Sequence, residues 1–227
     1  EMGFVVGPGT RLGEPVPLDR APEHVYGVVL VNDWSARDIQ SWEYVPLGPY
    51  LGKSFATSVS PWVVPFDALE EARIPAPVRE PEPLRYLRGE ADRGIDVALD
   101  VRLNGETVSR PPYGRMYWSP EQMLTHMTVN GASLRAGDFF ASGTISGPDP
   151  DQRGSFIEMS WNGTQPLRLA DGSTRDFLED GDTIAITARA RGRGGVQIGF
   201  GEVTGTIRPA VLAEECEAVA RGPAPAA

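Results

Sequence analysis

Strand patterns dominate the order of apolar and polar residues along this chain. Residues 25–31 form a short continuous apolar run, typical of a fully buried strand, and residues 95–103 alternate apolar with polar or small side chains. The second run ends at Asn104-Gly105, which favours a tight hairpin turn, so residues 106–109 are expected to form the returning strand. The apolar pattern therefore predicts a mainly β chain.

Three further segments follow the strand pattern. Met2–Val6 resembles the middle of a strand, residues 156–161 run up to Asn162-Gly163, and residues 183–190 run up to a glycine cluster. Residues 70–93 are rich in proline and charge, which indicates a surface excursion within one domain. Residues 1–220 are expected to form that domain, and residues 221–227 a flexible tail.

One helix has clear start and stop signals. Ser119 suits the N-cap, Pro120 the first helical position and Gln122 the third residue of a capping box, while Asn130-Gly131 suits the end. Tryptophans are more often core residues than substrate platforms, so no chemical role is expected for the five in this chain. They are Trp34, Trp42, Trp62, Trp118 and Trp161.

Composition narrows the function classes. The chain has 227 residues, 41% of them hydrophobic, which suits a soluble domain with a sizeable core. Its net charge of -10 argues against a nucleic-acid partner, since binding a polyanion needs clustered Lys and Arg. No apolar run is long enough to span a membrane, and a single cysteine suits a reducing compartment, so the cytoplasm is expected.

The segment from Asn32 to Lys53 concentrates the chemistry that a metal-assisted hydrolase needs. It carries a carboxylate at Asp33, a cation at Arg37, an amide at Gln40, a phenol at Tyr44 and an ammonium at Lys53. On one helical turn, Arg37 and Gln40 would face a ligand carboxylate together; alternatively, Arg37 forms only a local ion pair with Asp33. Lys53 could bind substrate or lie at the surface between turn glycines.

Metal chemistry, if present, is expected to use oxygen ligands. The two histidines lack partners at zinc-like spacing, whereas Glu1 and Asp33 suit Mg²⁺ or Ca²⁺. Both acids could equally be solvated surface groups. Glu158 lies in the strand predicted at residues 156–161, and without a partner it is expected to face solvent. Thr144 lies in a loop of small residues suited to a ligand or to a tight turn.

The run at residues 32–69 closely resembles the fumarylacetoacetase family. It contains Asp-Trp-Ser-Ala-Arg-Asp-Ile-Gln, then Tyr-Val-Pro-Leu-Gly-Pro-Tyr-Leu-Gly-Lys-Ser-Phe and Val-Ser-Pro-Trp-Val-Val-Pro. The likeness continues over nearly the whole chain, at residues 116–118, 128–131, 141–150, 158–163 and 198–201. It implies a mixed β-sandwich roll with few short helices, as in the family's C-terminal domain, and a homodimer.

The resemblance also implies an activity. Members of this family hydrolyse a carbon-carbon bond of the small diketo acid 4-fumarylacetoacetate, giving fumarate and acetoacetate in tyrosine and phenylalanine catabolism. Two alternatives stay open: a related hydrolase of another acylpyruvate or β-diketo acid, and a catalytically incomplete scaffold. The family's SH3-like domain, catalytic histidine and two further carboxylate ligands would precede Glu1, so upstream sequence is expected to be missing.

Roles for individual residues are implied by the same resemblance. For the metals it implies Ca²⁺ ligands at Glu1 and Asp33 and an Mg²⁺ site at Asp33, Lys53 and Thr57. For the substrate it implies contacts from Gln40, Tyr44 and Thr144, with Arg37, Gln40 and Lys53 stabilising the leaving carbanion. Glu158 would orient the catalytic histidine.

Overall fold

The computed structural model of the chain describes residues 1–211, so the predicted tail at residues 221–227 lies outside the described part. Thirteen strands lie within those residues: β1 (Met2–Val6), β2 (Val25–Asp33), β3 (Thr57–Val59), β4 (Val64–Pro65), β5 (Arg73–Pro75), β6 (Arg93–Ile95), β7 (Val97–Leu103), β8 (Glu106–Ser109), β9 (Phe139–Ala141), β10 (Leu167–Arg168), β11 (Thr174–Arg175), β12 (Thr183–Arg191) and β13 (Gln197–Thr206).

Helices are few and short in the same part of the chain. The α-helices are α1 (Arg37–Glu43), α2 (Leu51–Ser54), α3 (Pro120–Thr128) and α4 (Phe156–Met159). Short 3-10 helices lie at Leu18–His24, Phe66–Ala72, Arg85–Leu87, Tyr113–Arg115, Pro150–Gln152 and Arg193–Gly195. No helix in residues 1–211 is long and apolar enough to cross a membrane.

One of the two larger sheets has the strand order β3-β2-β1-β9, and β4 also pairs with β2. In its antiparallel ladders Gly3 lies opposite Ala141, and Asp33 lies opposite Thr57. Because neighbouring strands run in opposite directions, the start of β3, the end of β2, the start of β1 and the end of β9 share one edge of the sheet. The predicted metal ligands lie at this edge.

The other sheet has the order β13-β12-β7-β8. Its β7-β8 hairpin turns at Asn104-Gly105, where φ is 52° and 87°, so the turn predicted from that dipeptide is confirmed. Apolar side chains of both sheets join one buried core, in which Phe4 stacks on Phe140 at 5.1 Å and packs edge-on against Phe66. Burying one such side chain contributes about 1.5–3 kcal/mol.

The predicted mainly β architecture with few helices is confirmed, and every strand pair in residues 1–211 is antiparallel. Helix α3 has the predicted capping box: Gln122 N–H donates to Ser119 Oγ at 3.2 Å, and Ser119 N–H donates to Gln122 Oε1 at 3.1 Å. In the surface excursion predicted at residues 70–93, β5 near the start of the segment pairs with β6 at its end.

Two sequence-based expectations are wrong. Residues 156–161 are not a strand, because Ser155 and Glu158 are a serine and a glutamate at capping-box spacing and begin the short helix α4. The tryptophans are not mostly core residues: Trp34 is half-buried against Gly205, and the other four are exposed, with Trp42 91% accessible. Apolar periodicity does not distinguish a core face from a surface that binds something else.

Candidate active site at one edge of the sheet

The predicted metal ligands come from neighbouring strand ends. Thr57 begins β3 directly opposite Asp33 at the end of β2, and Glu1 precedes β1 on the other side. The carbonyl of Glu1 accepts a hydrogen bond from Val31 N–H at 2.9 Å, which continues the β1-β2 ladder to the edge. Gly143 N–H donates to Glu1 Oε2 at 3.1 Å and so holds this carboxylate against the loop that follows β9.

Asp33 and Lys53 form the charged pair at the centre of the site. Lys53 Nζ donates to Asp33 Oδ2 at 2.9 Å and to the Asp33 carbonyl at 3.3 Å. About 30% of each side chain is accessible to solvent, so the pair is open to a ligand. Lys53 is therefore ion-paired with Asp33, and its contact with substrate stays a prediction.

Arg37 and Gln40 lie on one turn of α1, as their spacing predicts. Arg37 Nη1 donates to Gln40 Oε1 at 2.8 Å, which leaves the Gln40 amide nitrogen free to donate elsewhere. Burial lowers the pKa of the Arg37 guanidinium, whereas the negative charges of Glu158 and Asp33 act in the opposite direction. Arg37 is therefore an electrostatic neighbour of both carboxylates, without a direct ion pair to Asp33 in the described residues.

Two residues without a predicted role hold α1 and α2 together. Glu43 Oε1 accepts hydrogen bonds from Gly52 N–H at 2.6 Å and Tyr50 N–H at 2.8 Å, and these bonds lower the pKa of the Glu43 carboxyl. Gly52 is buried against α1, where an added Cβ would lie 2.8 Å from the Gln40 nitrogen. A glycine next to the lysine was the available signal for this close approach.

Glu158 has partners in the structure and does not simply face solvent. Its carboxylate accepts hydrogen bonds from the hydroxyl of Ser146 at 2.9 and 3.0 Å, and from the backbone N–H and hydroxyl of Ser155 at 3.1 and 2.8 Å. Ser146 belongs to the loop that follows β9, which also carries Gly143 and Thr144. This loop therefore links Glu158 to the sheet edge that carries Glu1.

Tyr44 and Thr144 both have exposed side chains. Tyr44 follows the last turn of α1 and is exposed, and Thr144 is exposed in the loop after β9. Neither side chain has a hydrogen-bond partner within residues 1–211. Their roles as substrate contacts stay predictions, since both face solvent where a ligand could reach them.

The oxygen groups suit a hard cation, but they do not complete a coordination shell. Two carboxylates, Glu1 and Asp33, and the Thr57 hydroxyl are the ligand types that Mg²⁺ and Ca²⁺ prefer. Residues 1–211 contain no group of three or more His, Cys, Asp or Glu side chains placed to hold a metal ion. Protonated Lys53 donates hydrogen bonds and has no lone pair, so it suits a neighbour of the metal better than a ligand.

The two histidines lie on other contacts. His24 Nδ1 is 2.8 Å from the Pro8 carbonyl, and His126 Nδ1 is 2.8 Å from the Tyr86 hydroxyl, with the two rings stacked. Within the described residues, neither histidine is hydrogen-bonded to Glu158. The histidine that Glu158 is expected to orient is therefore not one of these two.

The chain is similar in sequence to known proteins over most of its length. It is 54% identical to human fumarylacetoacetase over 218 residues, which cover 93% of this chain and 52% of the human protein. It is 47% identical to the Arabidopsis thaliana fumarylacetoacetase over 92% of the chain and 51% of that protein. The chain thus spans about half the length of the curated relatives it matches.

Solved structures share the fold at lower identity. A fumarylacetoacetate hydrolase from Exiguobacterium antarcticum matches with a TM-score of 0.59 at 22% identity, over 92% of this chain and 55% of that one. A putative HpcE protein from Mycobacterium smegmatis matches with a TM-score of 0.56 at 25% identity, over 92% of this chain and 57% of that protein's chain. The model of the fumarylacetoacetate (FAA) hydrolase C-terminal family matches residues 1–208, and the chain therefore belongs to that family.

Proposed function

We propose that the protein hydrolyses the carbon-carbon bond of 4-fumarylacetoacetate to fumarate and acetoacetate. The observation that carries the proposal is the 54% identity to human fumarylacetoacetase in a chain that gathers Arg37, Gln40, Lys53 and Asp33 around one exposed edge. Fumarylacetoacetase activity would place the protein in tyrosine and phenylalanine catabolism. A reducing compartment, with the cytoplasm as the proposed location, suits a sequence that has one cysteine.

Arg37 and Lys53 provide the positive charge that this reaction requires. The substrate is an anionic diketo acid and the protein has a net charge of -10, so binding requires a locally positive surface. Arg37 and Lys53 provide two positive charges beside the Gln40 amide. When water adds to the fumaryl-side carbonyl and the carbon-carbon bond breaks, the electron pair remains on the carbon between the two ketones, which becomes the methyl carbon of acetoacetate on protonation. Arg37, Gln40 and Lys53 would stabilise this developing carbanion until a proton arrives.

A divalent cation completes the proposal. Glu1, Asp33 and Thr57 would hold it at the sheet edge, with Lys53 beside Asp33 as the predicted neighbour. A bound Mg²⁺ or Ca²⁺ would supply Lewis-acid polarisation of the diketone oxygens. Gln40, Tyr44 and Thr144 would fix the substrate, and Glu158 would orient the histidine that activates water.

The test is consumption of 4-fumarylacetoacetate, followed by ultraviolet absorbance, for the protein with any sequence that flanks this chain in its gene. Asp33→Asn should abolish turnover that depends on divalent cation, because the variant loses a charged oxygen ligand, while the exposed Asp180→Asn should retain it. Chelator-sensitive turnover lost only in Asp33→Asn supports the proposal. Full activity of Asp33→Asn refutes the metal assignment, and faster turnover of an acetyl-substituted diketo acid favours the alternative hydrolase. Absence of any turnover favours the incomplete scaffold.

We also propose that the protein is a homodimer that pairs through residues 39–63. Apart from the predicted substrate contact Tyr44, four aromatic side chains of this segment are each more than half exposed: Trp42, Tyr50, Phe55 and Trp62. A buried aromatic residue contributes about 150–250 Å², so their exposed surface is of the size, about 300–600 Å², that marks interaction sites. The segment contains one acid, Glu43, and one base, Lys53, so two copies of an acidic protein can meet there without strong repulsion.

The dimer is tested by the molar mass in solution, measured by light scattering over a range of protein concentrations. Trp42→Glu should shift the protein towards monomer, because it places a charge in the apolar contact. Val78→Glu is the matched control, since Val78 is an equally exposed apolar residue outside the segment. A monomeric wild-type protein, or an unchanged dimer of Trp42→Glu, would refute this interface.

A further inference from the structure

The Glu158 carboxylate is held unequally at its two oxygens. Oε2 accepts from Ser155 N–H at 3.1 Å and from Ser155 Oγ at 2.8 Å, and Ser146 Oγ lies 2.9 Å away. Oε1 has one neighbour within the described residues, Ser146 Oγ at 3.0 Å. A carboxylate oxygen can accept about two hydrogen bonds, so the two Ser155 donors saturate Oε2, whereas Oε1 is approached only by Ser146 Oγ within the described residues and keeps capacity for another donor.

Ser146 is itself aligned by a close backbone contact. Gly154 N–H donates to Ser146 Oγ at 3.1 Å, so this hydroxyl accepts one hydrogen bond and has its single proton left to donate. The approach requires glycine, because a Cβ at position 154 would overlap the Ile145 carbonyl oxygen. Ile145 is buried in the core and so anchors the loop. The proton of Ser146 is therefore directed at the Glu158 carboxylate.

The same loop reaches the other groups of the proposed site. Gly143 N–H holds Glu1 Oε2 at 3.1 Å, Thr144 follows it, and Ser146 lies two residues further along. Burial lowers the pKa of the Arg37 guanidinium, and the negative charge of Glu158 opposes this shift, so the two charged groups interact. Glu158 is thus held by this loop and interacts electrostatically with Arg37, which is proposed to stabilise the leaving carbanion.

We propose that Ser146 is a positioning residue for the reaction: it anchors Glu158 so that Oε1 is presented to the group that Glu158 orients. This inference rests on the proposed function and deepens it, because the Ser146 hydroxyl donates to Glu158 and would act through that carboxylate. Ser155 fixes the other side of the carboxylate from its own helix turn. Within the described residues, Ser146 alone ties the Glu158 carboxylate to the loop that carries Thr144 and contacts Glu1.

The experiment compares three variants in the same hydrolysis assay. Ser146→Ala removes the hydroxyl and should lower kcat by about 10- to 100-fold, the range seen when a hydrogen-bond partner that orients a functional side chain is lost. KM should change less than about threefold, because an interaction that acts on the reacting geometry affects kcat in preference to binding. Ser146→Thr keeps a hydroxyl and should restore most of kcat.

Ser173→Ala is the matched control. Ser173 also donates its hydroxyl to a carboxylate, Asp171 Oδ1 at 2.6 Å, in a turn between β10 and β11 that belongs to neither the loop nor the proposed site. It should leave kcat and KM unchanged. A crystal structure of Ser146→Ala should show the Glu158 side chain displaced while the backbone of α4 stays in place.

The outcomes separate the two proposals. If the wild-type protein hydrolyses the diketo acid and Ser146→Ala keeps its kcat, or if Ser146→Thr is as impaired as Ser146→Ala, the role of Ser146 is refuted and the proposed function stands. An unmoved Glu158 side chain in the variant crystal also refutes it. If the wild-type protein turns over no diketo acid, the proposed function fails first and takes this role with it.

Discussion

Gly52→Ala should displace Lys53 without altering any charged group of the site. Gly52 lies in α2 and is buried against α1, and its carbonyl accepts a hydrogen bond from Ala36 N–H at 2.9 Å. An added Cβ would lie 2.8 Å from the Gln40 nitrogen, 3.0 Å from the Gln40 Cα and 3.1 Å from the Ala36 carbonyl oxygen. All three atoms are backbone, so no flexible side chain can yield.

The size of the effect follows from these distances. To reach an ordinary contact of 3.4 Å, α2 must withdraw by about 0.6 Å. Lys53 Nζ and Asp33 Oδ2, now 2.9 Å apart, would then separate beyond normal hydrogen-bond length unless the lysine re-extends. A misplacement of 1 Å can cost about 100-fold in rate, so we expect kcat to fall about tenfold. Overpacking should also cost about 1–3 kcal/mol of unfolding free energy.

The assay is steady-state hydrolysis of 4-fumarylacetoacetate together with thermal unfolding. Each kcal/mol lost should lower Tm by about 2–4 °C for a domain of this size. Gly199→Ala is the control, because an added Cβ at Gly199, in β13, would meet no other heavy atom of residues 1–211 within 4 Å, so alanine should be tolerated there. Wild-type kcat and Tm in Gly52→Ala would refute the claim that this contact sets the position of Lys53.

Three further predictions concern buried charges away from the site. Arg73 Nη2 and Glu121 Oε1 pair at 2.8 Å with side chains 6% and 1% exposed, and burial raises the pKa of Glu121 although Arg73 opposes it. In urea titrations, Arg73→Met or Glu121→Leu alone should lower the unfolding free energy by about 3–5 kcal/mol, and the double variant should recover most of that loss. Equal losses in the two single variants and the double variant would contradict this. Because the pKa of Glu121 is raised on folding, stability should fall as pH rises above about 4.5, and Glu121→Gln should lack that dependence. Burial alone would raise the pKa of Asp182, but hydrogen bonds from Arg175, Glu179 N–H and Asn104 outweigh burial and lower the pKa. The stability that Asp182 contributes should therefore be present near neutral pH and lost as pH falls below about 4. An Asp182→Asn variant with unchanged acid unfolding would contradict this.

Local signals in the sequence predicted the local structure well. The Asn104-Gly105 turn and the Ser119 capping box depend on residues within a few positions of one another, so tertiary contacts need not be known. The strand predicted at residues 156–161 failed for a related reason. Apolar alternation there competes with the Ser155-to-Glu158 spacing, which is itself a local helix-start signal, and the helix forms.

The candidate site was predictable in its residue types but not in its supports. Arg37 and Gln40 are three residues apart, so helical spacing brought them together. The bond from Ser146 to Glu158 joins residues 12 apart across an irregular loop, and the bond from Gly52 to Glu43 depends on how two short helices meet. No periodic pattern encodes such contacts. The prediction of core tryptophans is wrong because hydrophobicity favours burial against an apolar surface, and that surface need not be this chain's own core.

The sheet edge also determines when during folding the site can exist. The contact between Glu1 and Gly143 joins residues 142 positions apart, and it needs β9 to pair with β1. Contacts of such long sequence separation form slowly, because a large loop must close before they contribute. A chain still emerging from the ribosome would therefore lack the site until most of its length had been made. Any ligand that needs both Glu1 and the loop after β9 would bind only the finished fold, and would stabilise that state selectively.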